Sequence, residues 1–292
     1  MPLGFPVARR HWRGLANRAE VFVPTCRCVL RALFLALLAA LFAGCSFGLV
    51  YGQLHRLLPW YIDDYASLDR EQRALLDVRL AERLAWHCQT QLLPYAALVR
   101  ELEGDLRGGA ITPARLEVRL GQGEILLRDL LAAILPDAQL LLARLDDEQL
   151  VELGEAFRRR NRELREEFLS ETPAEQGAER IERMEKRLRS WFGRLNEAQR
   201  ALVVRWIDAL QPATAEWLAN RERWQARLLA ALAQRRDAAR FEAELRPLLL
   251  EPGSAWSAGY RTRLAHNREQ TLILLAALFD TATPRQRERL FA

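Results

Sequence analysis

A five-residue phrase recurs four times along this chain and fixes most of what it can fold into. The copies are Leu68-Asp69-Arg70-Glu71-Gln72, Leu145-Asp146-Asp147-Glu148-Gln149, Leu195-Asn196-Glu197-Ala198-Gln199 and, more weakly, Ala282-Thr283-Pro284-Arg285-Gln286. Each sets an Asp, Asn or Thr three places before a Gln. That is the capping-box arrangement, in which the cap oxygen takes an orphan backbone N–H and the Gln reaches back to the cap's own N–H. Thr112-Pro113 and Thr172-Pro173 mark two further helix starts, with Pro at the first helical position. The copies stand 77, 50 and 87 residues apart, too irregular for a solenoid period, so they read as recurring helix starts.

Between these starts the letters are Leu, Ala, Arg, Glu and Gln, all strong helix formers, and runs of alternating β-branched residues are missing. The expected fold is all-α, a multi-helix bundle. Helices are predicted over 48–61, 70–104 (kinked at Pro94), 113–135, 137–145, 146–169, 173–194, 196–210, 213–246 and 256–280, with a last turn after 284. Gly108-Gly109 and Pro252-Gly253 read as loops. From about 145 to 195 apolar letters thin out. Leu150, Leu153, Phe157, Leu164 and Phe168 form one stripe, and Ile181, Met184, Leu188, Trp191 and Leu195 a second with coiled-coil spacing. This stretch is expected to be a projecting antiparallel hairpin turning at Ser170–Pro173. Arg158–Arg160 among Glu155, Glu163, Glu166 and Glu167 reads as its solvated face.

Residues 1–44 differ from the rest. Arg9, Arg10, Arg13, Arg18, Arg27 and Arg31 precede an unbroken apolar run from Ala32 to Ala43, closed by Ala43-Gly44-Cys45. Charge, apolar stretch and small-residue site in that order make a signal peptide. The expected division is therefore a 1–44 leader and a 45–292 helical periplasmic domain. Leu41-Phe42-Ala43-Gly44-Cys45 resembles the bacterial lipobox, whose Cys is diacylated and becomes the first mature residue. Ser46 follows where an Asp would favour the inner membrane, so the resemblance implies lipidation at Cys45 and passage to the outer membrane, facing the periplasm. The alternative is an uncleaved inner-membrane signal anchor, since Ala32–Tyr51 is uncharged for about the length that spans a bilayer. Both leave the body outside the cytoplasm. With Cys26 and Cys28 in the leader and Cys45 acylated, Cys88 stands alone and no intrachain disulfide is expected.

The formal charge of +5 invites a nucleic-acid reading, but its distribution argues against one. Of 43 basic and 38 acidic side chains, six and one fall in the leader, leaving 37 of each in the body. A phosphate-neutralising surface is not expected. Gly44-Cys45-Ser46-Phe47-Gly48 spells a nucleophile elbow without the strand and helix that pattern needs. Gly121-Gln122-Gly123 is a fragment of a phosphate loop without its Lys. In Trp86-His87-Cys88 the His and Cys point about 100° apart on a helix, and no His-x₃-His spacing occurs, so no metal site and no cofactor are expected. Asp63-Asp64 is the one pair that could do acid–base work if buried; the plainer reading is that it ends the first helix and orients the 62–68 loop. The seven body tryptophans, at 60, 86, 191, 206, 217, 224 and 256, read as core and helix-seam packing, with a peptide groove as the lesser alternative.

Cys45, Tyr51 with Leu54 and Leu58, Trp60, Asp63-Asp64-Tyr65, Leu68-Asp69 with Gln72, Trp86-His87, then Leu92 and Tyr95 together resemble an uncharacterised family of proteobacterial outer-membrane lipoproteins of unknown function. Arg180 through Trp206, with Trp191, Gly193, Leu195 and Gln199, is similar to the same family. Its pattern has Pro directly after the Leu matching Leu92, whereas here Leu93 intervenes. The resemblance implies location and fold only; Asp63, Asp64, Trp86, His87 and Tyr95 are the candidate functional residues. The Leu-Asp-x-x-Gln phrases are also similar to the Leu-Thr-x-x-Gln motifs of the Spy and CpxP periplasmic proteins, all-helical stress chaperones and sensors, which are smaller and not lipidated. The expectation is a lipid-anchored binding or structural module, not an enzyme. Its partners would be the membrane and an envelope protein or peptide, with the oligomeric state left open. A Spy-like envelope chaperone or sensor is the alternative.

Overall fold

The recurring phrases do cap helices, and they do so in pairs. In the computed structural model, which describes residues 46–109, 111–169 and 173–291, Asp69, Asn196 and Thr283 each accept a backbone N–H from the Gln three places on, which returns a bond to the cap's own N–H. Asp146 and Gln149 exchange the same two bonds, at 2.8 and 2.9 Å. Gln72 and Gln149 then face each other across the fold. Gln72 Nε2 donates to Gln149 Oε1 at 2.8 Å, and Gln149 Nε2 donates back at 2.6 Å. Each also donates to the carbonyl before the other's phrase, Arg144 O and Ser67 O, both at 2.7 Å.

Gln199 and Gln286 repeat the clasp, with bonds of 3.1 and 2.9 Å to each other. Gln286 Nε2 reaches Arg194 O at 3.0 Å, while Asn196 Nδ2 supplies the symmetry-related bond to Thr281 O at 3.2 Å. All four glutamines are buried. A buried primary amide is tolerable only when its polar atoms find partners, and every one of these amides both donates and accepts, with Gln72, Gln149 and Gln286 donating twice. The two longer intervals between phrases are thus the separations of clasp partners.

Eleven helices occupy the described residues: α1 (Ser46–Asp63), α2 (Arg70–Thr90), α3 (Leu92–Arg107), α4 (Pro113–Leu142), α5 (Asp147–Leu169), α6 (Pro173–Phe192), α7 (Glu197–Ala209), α8 (Thr214–Ala233), α9 (Ala238–Leu250), α10 (Ala258–Asp280) and α11 (Pro284–Leu290). No strand occurs among them, and no helix among the described residues is long and apolar enough to cross a membrane. The all-α, multi-helix expectation holds. The leader, Cys45, and the Ser170–Thr172 part of the expected turn lie outside the described residues.

Three expected helix boundaries move, each for a local reason. The 70–104 helix is two, α2 and α3, meeting at Gln91. Pro94 then falls in the first turn of α3, where its missing N–H would have had no partner. The 113–135 and 137–145 helices are one, α4, which runs through Pro136. At 30 residues α4 spans about 45 Å, and α2, α3, α9 and α10 all lie along it. The 213–246 helix breaks between Ala233 and Ala238. There the buried Arg235 turns across to donate to Leu145 O at 2.6 Å and to pair with Asp147, while Asp237 caps α9.

Apolar burial is divided among three clusters. Leu135, Leu153, Phe157, Leu228, Leu232, Phe241 and Leu245 join α4, α5, α8 and α9. Leu188, Phe192, Leu195, Val203, Leu274 and Leu278 join α6 and α7 to α10. Ile111, Leu116, Leu272 and Ala276 bring α4 against α10. Both helices of the 145–195 segment form, and Arg183 sits 5.9 Å above the Phe168 ring between them. Their stripes go to different clusters, however: the α5 stripe meets α8 and α9, and the α6 stripe meets α7 and α10. The large side chains on each stripe find deeper cover on the body than a narrow two-helix seam would provide.

Candidate functional site

The five candidate residues fall in two places. Asp63 ends α1, and the chain turns there with Tyr65 and Ala66 N–H groups on Ile62 O at 2.8 and 3.0 Å. The Asp63 carboxylate takes a 2.7 Å ion pair from Arg73, both side chains about two-fifths exposed. The Asp64 side chain is exposed, and its carbonyl accepts from Arg159 at 3.2 Å. Acid–base work by this pair would need one carboxyl kept out of water, and neither is. Their geometry is that of a helix end tied to α2 and α5.

Beside them lies a polar thread, exposed at Tyr61 and buried at Asn161 and Gln225, that sequence reasoning missed. The Tyr61 and Tyr65 hydroxyls are 3.3 Å apart, and the Tyr65 ring meets Phe157 edge-on at 5.9 Å. Burial, with the Tyr65 hydrogen bond adding to it, raises the Tyr61 phenol above its ordinary value. Burial lowers the Arg221 guanidinium, while the two tyrosines hold it up. Arg221 Nε donates to Asn161 Oδ1 at 3.0 Å, and Asn161 Nδ2 to Gln225 Oε1 at 2.6 Å. The thread links α1, α5 and α8. Nothing in the sequence marked it, because Asn161, Arg221 and Gln225 are single polar letters inside charged helices.

The second place is the α2–α3–α4 corner. His87 is 8% exposed and lies 5.4 Å from the Tyr95 ring, itself 5% exposed. Burial lowers the His87 pKa from its ordinary value. Burial, and the charge of Asp129 after it, raises that of Tyr95. Arg83 lies 5.2 Å over Trp86 and pairs with Asp137 at 2.7 Å. The structure therefore brings His87 and Tyr95 together in a buried corner, while Trp86 is engaged by Arg83. It does not bring Asp63 and Asp64 to them. Arg73, which holds Asp63, and His87 are both on α2, roughly 21 Å apart along its axis. Cys88 is exposed, and no group of three or more potential metal ligands occurs among the described residues.

One narrow cleft is lined by basic, amide and indole groups. Asn220, Arg223, Trp224, Arg227, Pro252, Ala255 and Trp256 line it, with no carboxylate among them. The Asn220 amide is 5% exposed and its Nδ2 has no partner. The cleft has room for about one water-sized group, which suits a bridging water and not a small-molecule ligand. Two tryptophans that read as packing residues, Trp224 and Trp256, form its walls, and Trp224 Nε1 donates to Leu248 O at 2.9 Å.

Comparison with known proteins gives one family. Residues 64–261 match the family of unknown function DUF6279, and the chain belongs to it. The match runs from Asp64 through the α2–α3–α4 corner and both members of the first clasp, and ends within α10. No curated protein and no solved structure is matched.

Proposed function

We propose that this member of DUF6279 is a lipid-anchored lipoprotein of the Gram-negative envelope, held at the periplasmic face of the outer membrane by an acylated Cys45. Its helical body serves there as a binding or structural module for an envelope protein or peptide, and is not an enzyme. The observation that carries this reading is the order of an arginine-rich leader, a twelve-residue apolar run and Ala43-Gly44-Cys45, followed without a linker by a helix beginning at Ser46. Each buried methylene contributes about 0.8 kcal/mol, so two or three acyl chains on one thiol suffice to tether a body of this size. The absence of Asp at position 46 favours the outer membrane. The non-enzymatic reading rests on the exposure of Asp63 and Asp64 and on the roughly 21 Å between Arg73, which holds Asp63, and His87 along α2.

The chaperone reading drew on the Leu-Asp-x-x-Gln phrases. Their glutamines face inward, each engaged by its own cap and by its clasp partner, which favours an architectural role for the phrase. Labelling cells with radioactive palmitate tests the anchor. Label is expected on the wild type and not on Cys45→Ser, which should also leave the outer-membrane fraction. A labelled serine variant, or an unlabelled wild type, overturns the reading.

A further inference from the structure

The first helix is amphipathic in the wrong sense for a protein surrounded by water. Stepping about 100° per residue around α1 places Trp60, Gln53, Leu57, Tyr61, Leu54 and Leu58 in order on one arc of roughly 160°. No charged residue falls in that arc. Pro59, at the middle of the opposite side, is buried, and the ionisable residues of the described side chains, His55, Arg56 and Asp63, flank it there. Asp63 reaches the body through Arg73. The helix thus meets the protein at Pro59 and through Asp63, and turns its apolar arc outward, with His55 and Arg56 exposed at the border. Trp60 is 65% exposed, Leu57 50%, Tyr61 40% and Leu58 36%. Four large apolar side chains in contiguous positions form a patch, not the scattered exposure ordinary for a surface.

We infer that α1 lies along the bilayer surface, with this arc seated in the lipid interface beside the anchor. The inference rests on the lipid attachment proposed above and deepens it. Two features choose lipid over another protein as the occupant. The chain outside the described residues ends at Cys45, one residue before α1, so a diacylated thiol would bring the helix to the membrane before the rest of the body arrived. The exposed set, Leu57 and Leu58 followed by Trp60 and Tyr61, also has the composition that favours the headgroup boundary, and the exposed Arg56 and His55 border it where anionic headgroups would meet them. At 18 residues α1 extends about 27 Å, long enough to fix the orientation of the body against the surface and not only its distance. Lipid on the thiol supplies attachment; α1 supplies a defined face.

The test uses the full-length protein, processed in cells, purified in detergent and reconstituted into phosphatidylethanolamine–phosphatidylglycerol vesicles. On a Cys88→Ser background, which removes the exposed body thiol, single cysteines replace Leu57, Gln53, Arg56 or Val151 and carry an environment-sensitive fluorophore. The inference expects blue-shifted emission at 57 and 53, quenched by spin-labelled lipids, and unshifted, unquenched emission at 56 and 151. Adding Trp60→Glu should weaken the quenching at 53. The mass of the Cys45 peptide is measured on the same sample. Acylated protein with position 57 no more quenched than 151 overturns the inference and leaves the anchor standing. Unacylated protein still quenched at 57 supports the inference and overturns the anchor. A blue shift at 57 without quenching by lipid means that protein covers the arc, most simply a second copy, and overturns the inference.

Discussion

Replacing Gln149 by Met tests whether the clasps hold the fold together. The side chain keeps its length but loses four hydrogen bonds: to Ser67 O at 2.7 Å, to and from Gln72 at 2.6 and 2.8 Å, and from Asp146 N–H at 2.9 Å. The bonds of a neutral amide contribute about 1 kcal/mol each net, and partners left buried without a substitute cost about 1–3 kcal/mol more. The single variant should lose about 3 kcal/mol, and Gln72→Met a similar amount, because each strands half of the other's amide. The double variant strands neither amide, since two methionines meet. Its loss should therefore be about 2 kcal/mol smaller than the sum of the singles. Urea unfolding of a chain beginning at Ser46, followed by circular dichroism, gives the cycle, and amide exchange at the first turns of α2 and α5 localises the loss. Costs that add to within about 0.5 kcal/mol would mean that the two amides do not act as a pair, and the reasoning would fail.

Asp105 lies under Arg119, whose Nε donates to it at 2.7 Å, and this bond holds the carboxyl below its ordinary value. Its contribution should be complete above the unfolded carboxylate pKa near ~3.9 and vanish as pH falls through the lower native value, so Asp105→Asn should flatten that part of the acid unfolding curve. His87 should titrate below ~6.5 by NMR; because the unfolded chain takes its proton first, stability should fall as pH drops from that value through the native one, and His87→Phe should remove the dependence. Gly193 ends α6 at φ +70, with its nearest side-chain neighbours at ordinary contact distance, so Gly193→Ala should cost about 1–2 kcal/mol through the backbone alone, measured by urea unfolding.

Helix starts were legible because capping is local. Asp69, Asn196, Thr283 and Thr112 announce themselves within four residues, and the structure uses all four as caps. The partnership of the phrases was not legible. Intervals of 77 and 87 residues look irregular until Gln72 meets Gln149 and Gln199 meets Gln286 through space, and no periodicity encodes that meeting. Proline misled in both directions for one reason: its cost depends on whether its N–H would have been used, which is a matter of position in the turn and of neighbouring helices. Pro94 sits harmlessly in a first turn, and Pro136 is carried inside the longest helix by the elements lying along it. The stripes on α5 and α6 were visible as stripes, but a stripe does not name its partner. Among the site residues, His87 and Tyr95 meet in a way that helical spacing alone could not predict across the break at Gln91. The outward arc of α1 could be read from sequence only as periodicity; which side faced the body became apparent with the burial of Pro59.

The claim on which the account of function depends is the chemistry of one thiol. Mass spectrometry of the amino-terminal peptide of protein extracted from membranes addresses it directly. The account predicts a mature chain beginning at Cys45 with a diacylglyceryl group on sulfur and no trace of residues 1–44. An unmodified peptide running through Ala43-Gly44-Cys45-Ser46 would contradict it.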